Sequence, residues 1–200
     1  MIIRSATFLK SSVQMDQLPT DNLPEFAFIG RSNVGKSSLI NMLTAKNELA
    51  KTSGNPGKTQ TINHFTINKE WYLVDLPGYG FARVSQDKRG EWKQMIYNYL
   101  TQRTNLINIF VLVDLRLDPQ KSDLDFINEI GSQGIPLSIV FTKSDKISKT
   151  AVGVNSEKFK AAILESWEEL PPVFTTSSEK KLGREEILNY IEKCILEQAV

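Results

Sequence analysis

Residues Gly30-Arg-Ser-Asn-Val-Gly-Lys-Ser37 constrain this chain more than any other stretch. They fit G-x-x-x-x-G-K-[ST], the phosphate-binding loop pattern. The apolar run Glu25-Phe-Ala-Phe-Ile29 before them reads as a buried strand, and Ser38-Leu-Ile-Asn-Met-Leu43 after them reads as helix. In such a loop backbone N–H groups converge on phosphates, and the helix N-terminus adds a partial positive charge. The glycines let the backbone come close to the ligand. Lys36 would reach the β- and γ-phosphates, and the Ser37 hydroxyl would bind Mg²⁺.

The rest of the chain alternates in the same way. Strands are expected near 26–29, 63–67, 71–75, 107–113, 136–141 and 172–175, and helices at 36–45, 86–101, 119–132, 156–168 and 184–197. Alternation of this kind predicts an α/β fold in three layers: a mostly parallel sheet of six or seven strands with helices on both faces. Asn68-Lys-Glu70 between two strands suits a hairpin, so one strand should run antiparallel. The ligand then sits at the carboxyl ends of the strands. Trp92, Met95, Ile96, Tyr99 and Leu100 form a core-facing stripe on one helix, as do Ile187, Leu188, Ile191 and Ile195 on the last. Residues 1–21 read as an edge strand or ordered arm packed on one domain spanning 22–200.

The base is indicated by Thr142-Lys-Ser-Asp145, which follows the apolar run Pro136–Phe141 and fits the [NT]-K-x-D pattern of guanine-binding proteins. A carboxylate at Asp145 accepts from the guanine ring N–H and exocyclic amine, a donor pair that adenine lacks. The Lys143 stem can lie over the base. Asp75-Leu-Pro-Gly78 closes the strand Trp71–Asp75 and matches D-x-x-G, where the Asp holds Mg²⁺ through a water and the Gly N–H meets the γ-phosphate. Alone, Leu-Pro-Gly is an ordinary turn; in the order found here, with a strand before each motif, it becomes the third element of one site. Thr176-Ser-Ser178 resembles the loop that meets the guanine carbonyl, although any Ser/Thr loop would look similar. The polar stretch Ala50–Thr61 is too long for a routine connection and fits a first switch that supplies a threonine to Mg²⁺. Thr59 is the candidate, with Thr61 and Thr52 competing. The second switch would run from Gly78 through Arg83 into the following helix.

Taken together, Gly-Arg-Ser-Asn-Val-Gly-Lys-Ser-Ser, Lys-Thr-Ser-x-x-Pro-Gly-Lys-Thr-Gln and Asp-x-Pro-Gly-Tyr-Gly-Phe-Ala resemble the EngB-type GTPases of bacteria, from about Asn22 to the C-terminus. The resemblance implies a P-loop G domain that binds GTP and GDP with Mg²⁺, hydrolyses GTP, assists assembly of the large ribosomal subunit and is linked to cell division and septation. Carried over by motif, the nucleotide contacts would be Gly30, Arg31, Ser32, Asn33, Val34, Gly35, Lys36 and Ser37; Gly57, Lys58, Thr59, Gln60 and Thr61; Asp75, Leu76, Pro77 and Gly78; Thr142, Lys143, Ser144 and Asp145; and Thr176, Ser177 and Ser178. Ser37 and Thr59 would hold the metal, and Lys36, Thr59 and Gly78 would act in catalysis.

Where Ras-type switches place a water-orienting Gln directly after D-x-x-G, this chain has Tyr79. Slow intrinsic turnover is therefore expected, to be accelerated by a partner, another side chain or a cation. Asn33 resembles the potassium-binding residue of some related GTPases; the plainer reading is that asparagine simply turns the loop. Equal rates in potassium and sodium would count against K⁺.

Net charge is only +1, which gives no global signature for RNA. Lys46, Lys51, Lys58, Arg83, Lys88, Arg89 and Lys93 gather in or near the switches, either as solvated charges or as a face for ribosomal RNA phosphates. On the latter reading, changing Lys88 and Arg89 to Glu weakens ribosome association and spares GTP affinity. No run reaches the roughly 20 apolar residues of a membrane span, and no signal-peptide pattern is present. A cytoplasmic monomer without membrane or DNA partners is expected. The lone Cys194 and lone His64 read as structural. Two other classes stay open. One is a small-molecule kinase, disfavoured by T-K-x-D; the other is a binding module of a division complex with little turnover, which Tyr79 keeps alive.

Overall fold

The run preceding the glycine loop is a strand buried along its whole length, β2 (Glu25–Gly30). Burial on both faces is what a central parallel strand requires. Its alternation sends Phe26 and Phe28 into one layer and Ala27 and Ile29 into the other. The computed structural model describes residues 1–50, 61–79 and 86–198, with the backbone alone at 86–89, 91 and 92. The other strands are β1 (Ala6–Ser12), β3 (Ile62–Ile67), β4 (Trp71–Asp75), β5 (Leu106–Asp114), β6 (Leu137–Thr142) and β7 (Val173–Thr175). Among the described residues these seven form one sheet in the order β1-β3-β4-β2-β5-β6-β7. β2 is parallel to β4 and β5, β5 to β6, and β6 to β7. β3 is antiparallel to both its neighbours, so it alone runs against the rest.

The β3–β4 turn explains that reversal. Asn68 and Lys69 adopt φ of 52° and 62°, the left-handed geometry that tight hairpins use. The Asn68 side chain accepts from the Arg4 and Ser5 N–H groups at 2.7 and 3.1 Å, which fixes the start of β1 against this turn. β1 then pairs along β3 from Ala6↔Ile67 to Ser12↔Ile62, with a register shift between Phe8 and Lys10.

Two helices, α1 (Lys36–Thr44) and α5 (Arg184–Gln198), cover one face of the sheet. Leu39, Ile40, Leu43, Ile187, Leu188 and Ile191 pack there on Phe26, Phe28, Phe110 and Val140. Phe28 stacks on Phe110 at 4.8 Å, and Phe26 meets Trp71 edge to face at 5.6 Å. Cys194 is half-buried beside this layer, and burial pushes its thiol up, as packing rather than reactivity requires. The other face carries α2 (Gln86–Gln102), α3 (Lys121–Ser132) and α4 (Lys149–Leu164). Met95, Ile96, Tyr99 and Leu100 of the expected stripe are buried there; the Trp92 side chain lies outside the described part.

Two helices differ from expectation, one of them substantially. The helix expected at 156–168 starts seven residues earlier, at Lys149. Ser148 caps it, its hydroxyl accepting from the Ala151 N–H at 3.2 Å. Gly153 lies inside it, in open space where a Cβ would touch nothing, at a cost of about 1 kcal/mol that tertiary packing overrides. The helix stops at Leu164 because Trp167 turns back onto α3. The Trp167 indole donates to Asn128 Oδ1 at 2.7 Å and lies where a Cβ on Gly131 would be. α3 also begins two residues later than expected, after Gln120.

The register brings the carboxyl ends together. Phe28 pairs with Asp75, Gly30 with Leu112, and Asp114 with Thr142. Gly30, Asp75, Asp114, Thr142 and Thr175 therefore end their strands along one rim, where an open α/β sheet binds its ligand.

Candidate functional site

The glycine loop occupies the middle of this rim. Asn33 and Gly35 have φ of 63° and 107°, so the chain turns through two left-handed residues before α1 begins at Lys36. At Gly30 a Cβ would lie 2.9 Å from the Leu112 carbonyl and from Val34 Cγ1, so only glycine lets the loop start there. Val34 is buried beneath the loop, and Ser32 and Asn33 are exposed on it. The first helical N–H donor engaged within α1 is Leu39, bonded to the Gly35 carbonyl at 2.9 Å. The N–H groups ahead of it have no intrahelical acceptor, and no side chain caps the helix. An anion suits such an end. Half-buried Ser37 sits in this first turn.

Lys36 forms an ion pair with Asp75 at the end of β4. Burial alone would bring the Lys36 ammonium down to about 7; the adjoining carboxylate opposes this by favouring the charged form. Asn63 Nδ2 approaches the other Asp75 oxygen at 3.5 Å. Leu76 and Pro77 are buried, and the Leu76 N–H donates to the Phe28 carbonyl at 3.0 Å. Gly78 presses so closely on the loop that a Cβ would stand 2.5 Å from the Gly30 carbonyl oxygen.

The Thr142–Asp145 segment is built into the same rim. The Thr142 hydroxyl is 2.7 Å from the Val34 carbonyl and 3.2 Å from that of Val113. Lys143, at φ 61°, donates to the Asn33 carbonyl at 2.6 Å and to Asp114 at 2.9 Å. The Ser144 hydroxyl donates to the Thr176 carbonyl at 2.9 Å. Asp145 accepts from the Ser177 hydroxyl at 2.6 Å and lies 3.2 Å from Lys146 Nζ. The Ser177 bond is the main cause that holds the Asp145 carboxyl below the usual carboxylate range. Thr176 is fixed to the Phe141 carbonyl through its N–H at 2.7 Å and its hydroxyl at 2.8 Å, and Ser178 follows half-buried.

All four described motif segments thus meet on one rim. Gly57, Lys58, Thr59 and Gln60 lie outside the described residues, as do Lys51, Thr52 and Arg83 and the side chains of Lys88 and Arg89. Thr61 is described, and its hydroxyl is 2.9 Å from Asn63 Oδ1. Among the described residues no group of three His, Cys, Asp or Glu side chains gathers to hold a metal. Ser37 in the first turn of α1 and Asp75 at the end of β4 instead supply oxygens of the kind that suit Mg²⁺, which completes its shell with substrate oxygens and water.

Three groups escaped the sequence reading. Asp114 takes both Nε and an Nη of Arg116 at 2.9 and 2.7 Å. Burial would raise its carboxyl, but Arg116 and Lys143 outweigh it and hold it at about 2. Asp123 of α3, wholly buried, receives Arg31 Nε at 2.9 Å and the Tyr79 hydroxyl at 3.0 Å. Glu25, also wholly buried, collects Arg103 at 2.6 Å, Tyr99 at 2.7 Å and His64 at 3.3 Å. His64 therefore belongs to a buried polar cluster, as a structural reading expects. The legible signal was a lone acid at the end of an apolar strand, for Asp114 and Glu25; Asp123 had none.

A family model described as a 50S ribosome-binding GTPase matches residues 25–143. The chain is 55% identical over 192 residues to a probable GTP-binding protein EngB from Phocaeicola vulgatus, covering 96% of both chains. Over the same length it is 56% identical to its counterpart from Porphyromonas gingivalis. Among solved structures, a crystal structure of a probable GTP-binding protein engB superposes with a TM-score of 0.67 at 25% identity, covering 86% of this chain and 99% of that one.

Proposed function

This chain belongs to the EngB family of GTP-binding proteins, which are GTP hydrolases, and from that premise we propose that it is a GTP-gated factor in assembly of the large ribosomal subunit. The observation that carries the reading is the joining of the base-reading segment to the phosphate loop, through Thr142 to Val34 and Lys143 to Asn33. That connection sets the spacing between a guanine edge at Asp145 and phosphates at Lys36. The family description supports the ribosomal partner.

In this reading Gly30 to Ser37 cradle the phosphates, and Asp145 with the Thr176–Ser178 loop reads the base. The phosphates compete with Asp75 for the Lys36 ammonium. Ser37 and Thr59 would hold Mg²⁺, which when bound neutralises phosphate charge. Gly57 to Thr61 and Asp75 to Gly78 would sense the γ-phosphate. Tyr79 carries no carboxamide to orient water, so intrinsic hydrolysis is slow and a ribosomal partner accelerates it. The left-handed Asn33 supports its role as a turn residue; a potassium role rests on family pattern and requires faster turnover in K⁺ than in Na⁺. The basic switch face, Lys88 and Arg89 included, would meet ribosomal RNA, and the need for ribosomes ties the factor to cell division and septation. No described helix is long and apolar enough to cross a membrane, and we place the protein in the cytoplasm as a monomer.

Co-sedimentation with large ribosomal subunits tests this. Binding with a non-hydrolysable GTP analogue and release with GDP is the expected result. Absence of binding in both states leaves the GTPase standing and detaches it from the ribosome. Tyr79 would then favour the second reading, a nucleotide-dependent module of a division complex.

A further inference from the structure

Tyr79 is the first residue after Gly78, and its position is set by α3 rather than by the phosphate loop alone. Its ring stacks on Phe126 with centroids 4.4 Å apart and planes within 16°. Its hydroxyl donates to Asp123 Oδ1 at 3.0 Å. Asp123 and Phe126 are three residues apart and so share one face of α3. The same Asp123 carboxylate, with no exposed surface, takes Arg31 Nε at 2.9 and 3.2 Å. Arg31 directly follows Gly30, on whose carbonyl Gly78 rests. One buried carboxylate therefore ties the first residues of the phosphate loop and of the second switch to a single point on α3.

We propose that Asp123 is a positioning residue that latches Tyr79 in a docked state and so sets how readily Gly78 reaches a γ-phosphate. The proposal rests on the GTPase reading of the rim. Gly78 cannot advance toward the phosphates without drawing Tyr79 along the chain, because consecutive Cα atoms stay 3.8 Å apart. The latch is releasable for a physical reason. When the Tyr79 hydroxyl leaves, Arg31 still neutralises Asp123, so no bare charge is left in the interior. The departing phenol loses one hydrogen bond and its stacking, and both can be regained on return. Burial and the neighbouring Asp123 carboxylate hold the Tyr79 hydroxyl protonated, so it remains a donor throughout. Arg31 couples the same carboxylate to the loop that receives the nucleotide, so its displacement by phosphates would alter the latch from the other side.

Tyr79→Phe removes the hydroxyl and keeps the ring. The test measures dissociation constants of the whole protein for a non-hydrolysable GTP analogue and for GDP, together with Tm. Undocking favours whichever nucleotide engages Gly78, so the variant should shift the ratio of the two constants toward the analogue. Loss of one hydrogen bond to a carboxylate converts to about a tenfold shift. GDP affinity should stay unchanged. Asp123→Asn should move the ratio in the same direction. A ratio unchanged in Tyr79→Phe overturns the latch, whether or not Tm falls; a fall in Tm alone would make the contact a folding one. Wild type that binds both nucleotides beside such a variant leaves the GTPase reading intact. Wild type that binds neither overturns both.

Discussion

At the Thr142–Asp145 end of the rim, every side chain is held by groups that a nucleotide does not need to displace. Thr142 bonds to two carbonyls, Ser144 to a third, and Asp145 to the Ser177 hydroxyl while keeping its second oxygen toward Lys146. At the Lys36–Tyr79 end the contacts are of another kind. Lys36 is engaged by Asp75, Gly78 touches Gly30 by packing alone, and Tyr79 hangs on a carboxylate shared with Arg31. Phosphates and metal would compete with these contacts. Under the proposed function, recognition of the base is built in advance and response to the phosphates is made conditional. This division suits a switch, because preorganisation lowers the cost of binding any guanine nucleotide whereas discrimination between GTP and GDP needs two arrangements of similar energy.

The largest effect should come from breaking the preformed end. Asp145→Asn replaces a carboxylate that, in the proposed function, would accept two hydrogen bonds from guanine by an amide that presents one donor to them. At roughly 1.5–3 kcal/mol for each charge-assisted bond, GDP affinity should fall by about 100-fold or more. Isothermal titration with GDP and with xanthosine diphosphate checks this. The latter presents an oxygen where guanine has its amine, and it should gain affinity in the variant. Equal GDP affinity in wild type and Asp145→Asn would remove Asp145 from base reading.

The conditional end is anchored far from the rim, and a second variant sharpens the contrast. β3 follows the 51–60 segment and α2 follows 80–85, and both are tied to Glu25 at the opposite end of β2, through His64 on β3, Tyr99 on α2 and Arg103 directly after α2. Burial would raise the Glu25 carboxyl, and the contacts with His64, Arg103 and Tyr99 outweigh it and bring it to about 2. A carboxyl depressed in the folded state contributes its full stabilisation above the ordinary value of 4.5 and loses it as pH falls toward about 2. Glu25→Gln leaves Arg103 facing a neutral amide and should cost about 2–3 kcal/mol at neutral pH. Denaturant unfolding should show wild type losing stability between pH 4.5 and 2 more steeply than the variant. Parallel acid profiles would mean that Glu25 is not the linked group.

These two regions also differ in how far the sequence disclosed them. The base end and the loop are contiguous motifs, each after an apolar strand, so Gly30–Ser37, Asp75–Gly78 and Thr142–Asp145 could be read without knowing what they touch. The alternation of elements gave the three layers, and Asn68-Lys-Glu70 gave the single reversed strand. What stayed hidden depends on long-range pairing. Asp123 meets Tyr79 and Arg31 from 44 and 92 residues away, and nothing in the exposed-looking Lys121–Asp125 stretch marks one acid as buried. The early start of α4 was missed because Gly153 interrupts the apolar spacing, while the cap that begins the helix is a lone serine. Its end at Leu164, four residues before the expected 168, was missed because Trp167 leaves the helix for a partner on α3.

The smallest expected effect tests whether preorganisation itself matters at the base end. Ser177 touches no base in the motif reading except through the loop backbone, yet its hydroxyl holds Asp145 at 2.6 Å and also accepts from the Lys180 N–H at 3.0 Å. Ser177→Ala leaves both guanine-facing hydrogen bonds available and removes the bond that orients the carboxylate, together with the acceptor of the Lys180 N–H within the same loop. If orientation is worth about one hydrogen bond, near 1 kcal/mol, GDP affinity should drop about fivefold, and the affinity for the GTP analogue should drop by the same factor. That equality is the informative part. The base end sees the same guanine in both nucleotides, so a variant there should leave the analogue-to-GDP ratio fixed, in contrast to Tyr79→Phe. A Ser177→Ala protein whose ratio moves would show that the two ends of the rim are coupled, with Lys143 between Asn33 and Asp114 as the connection to examine.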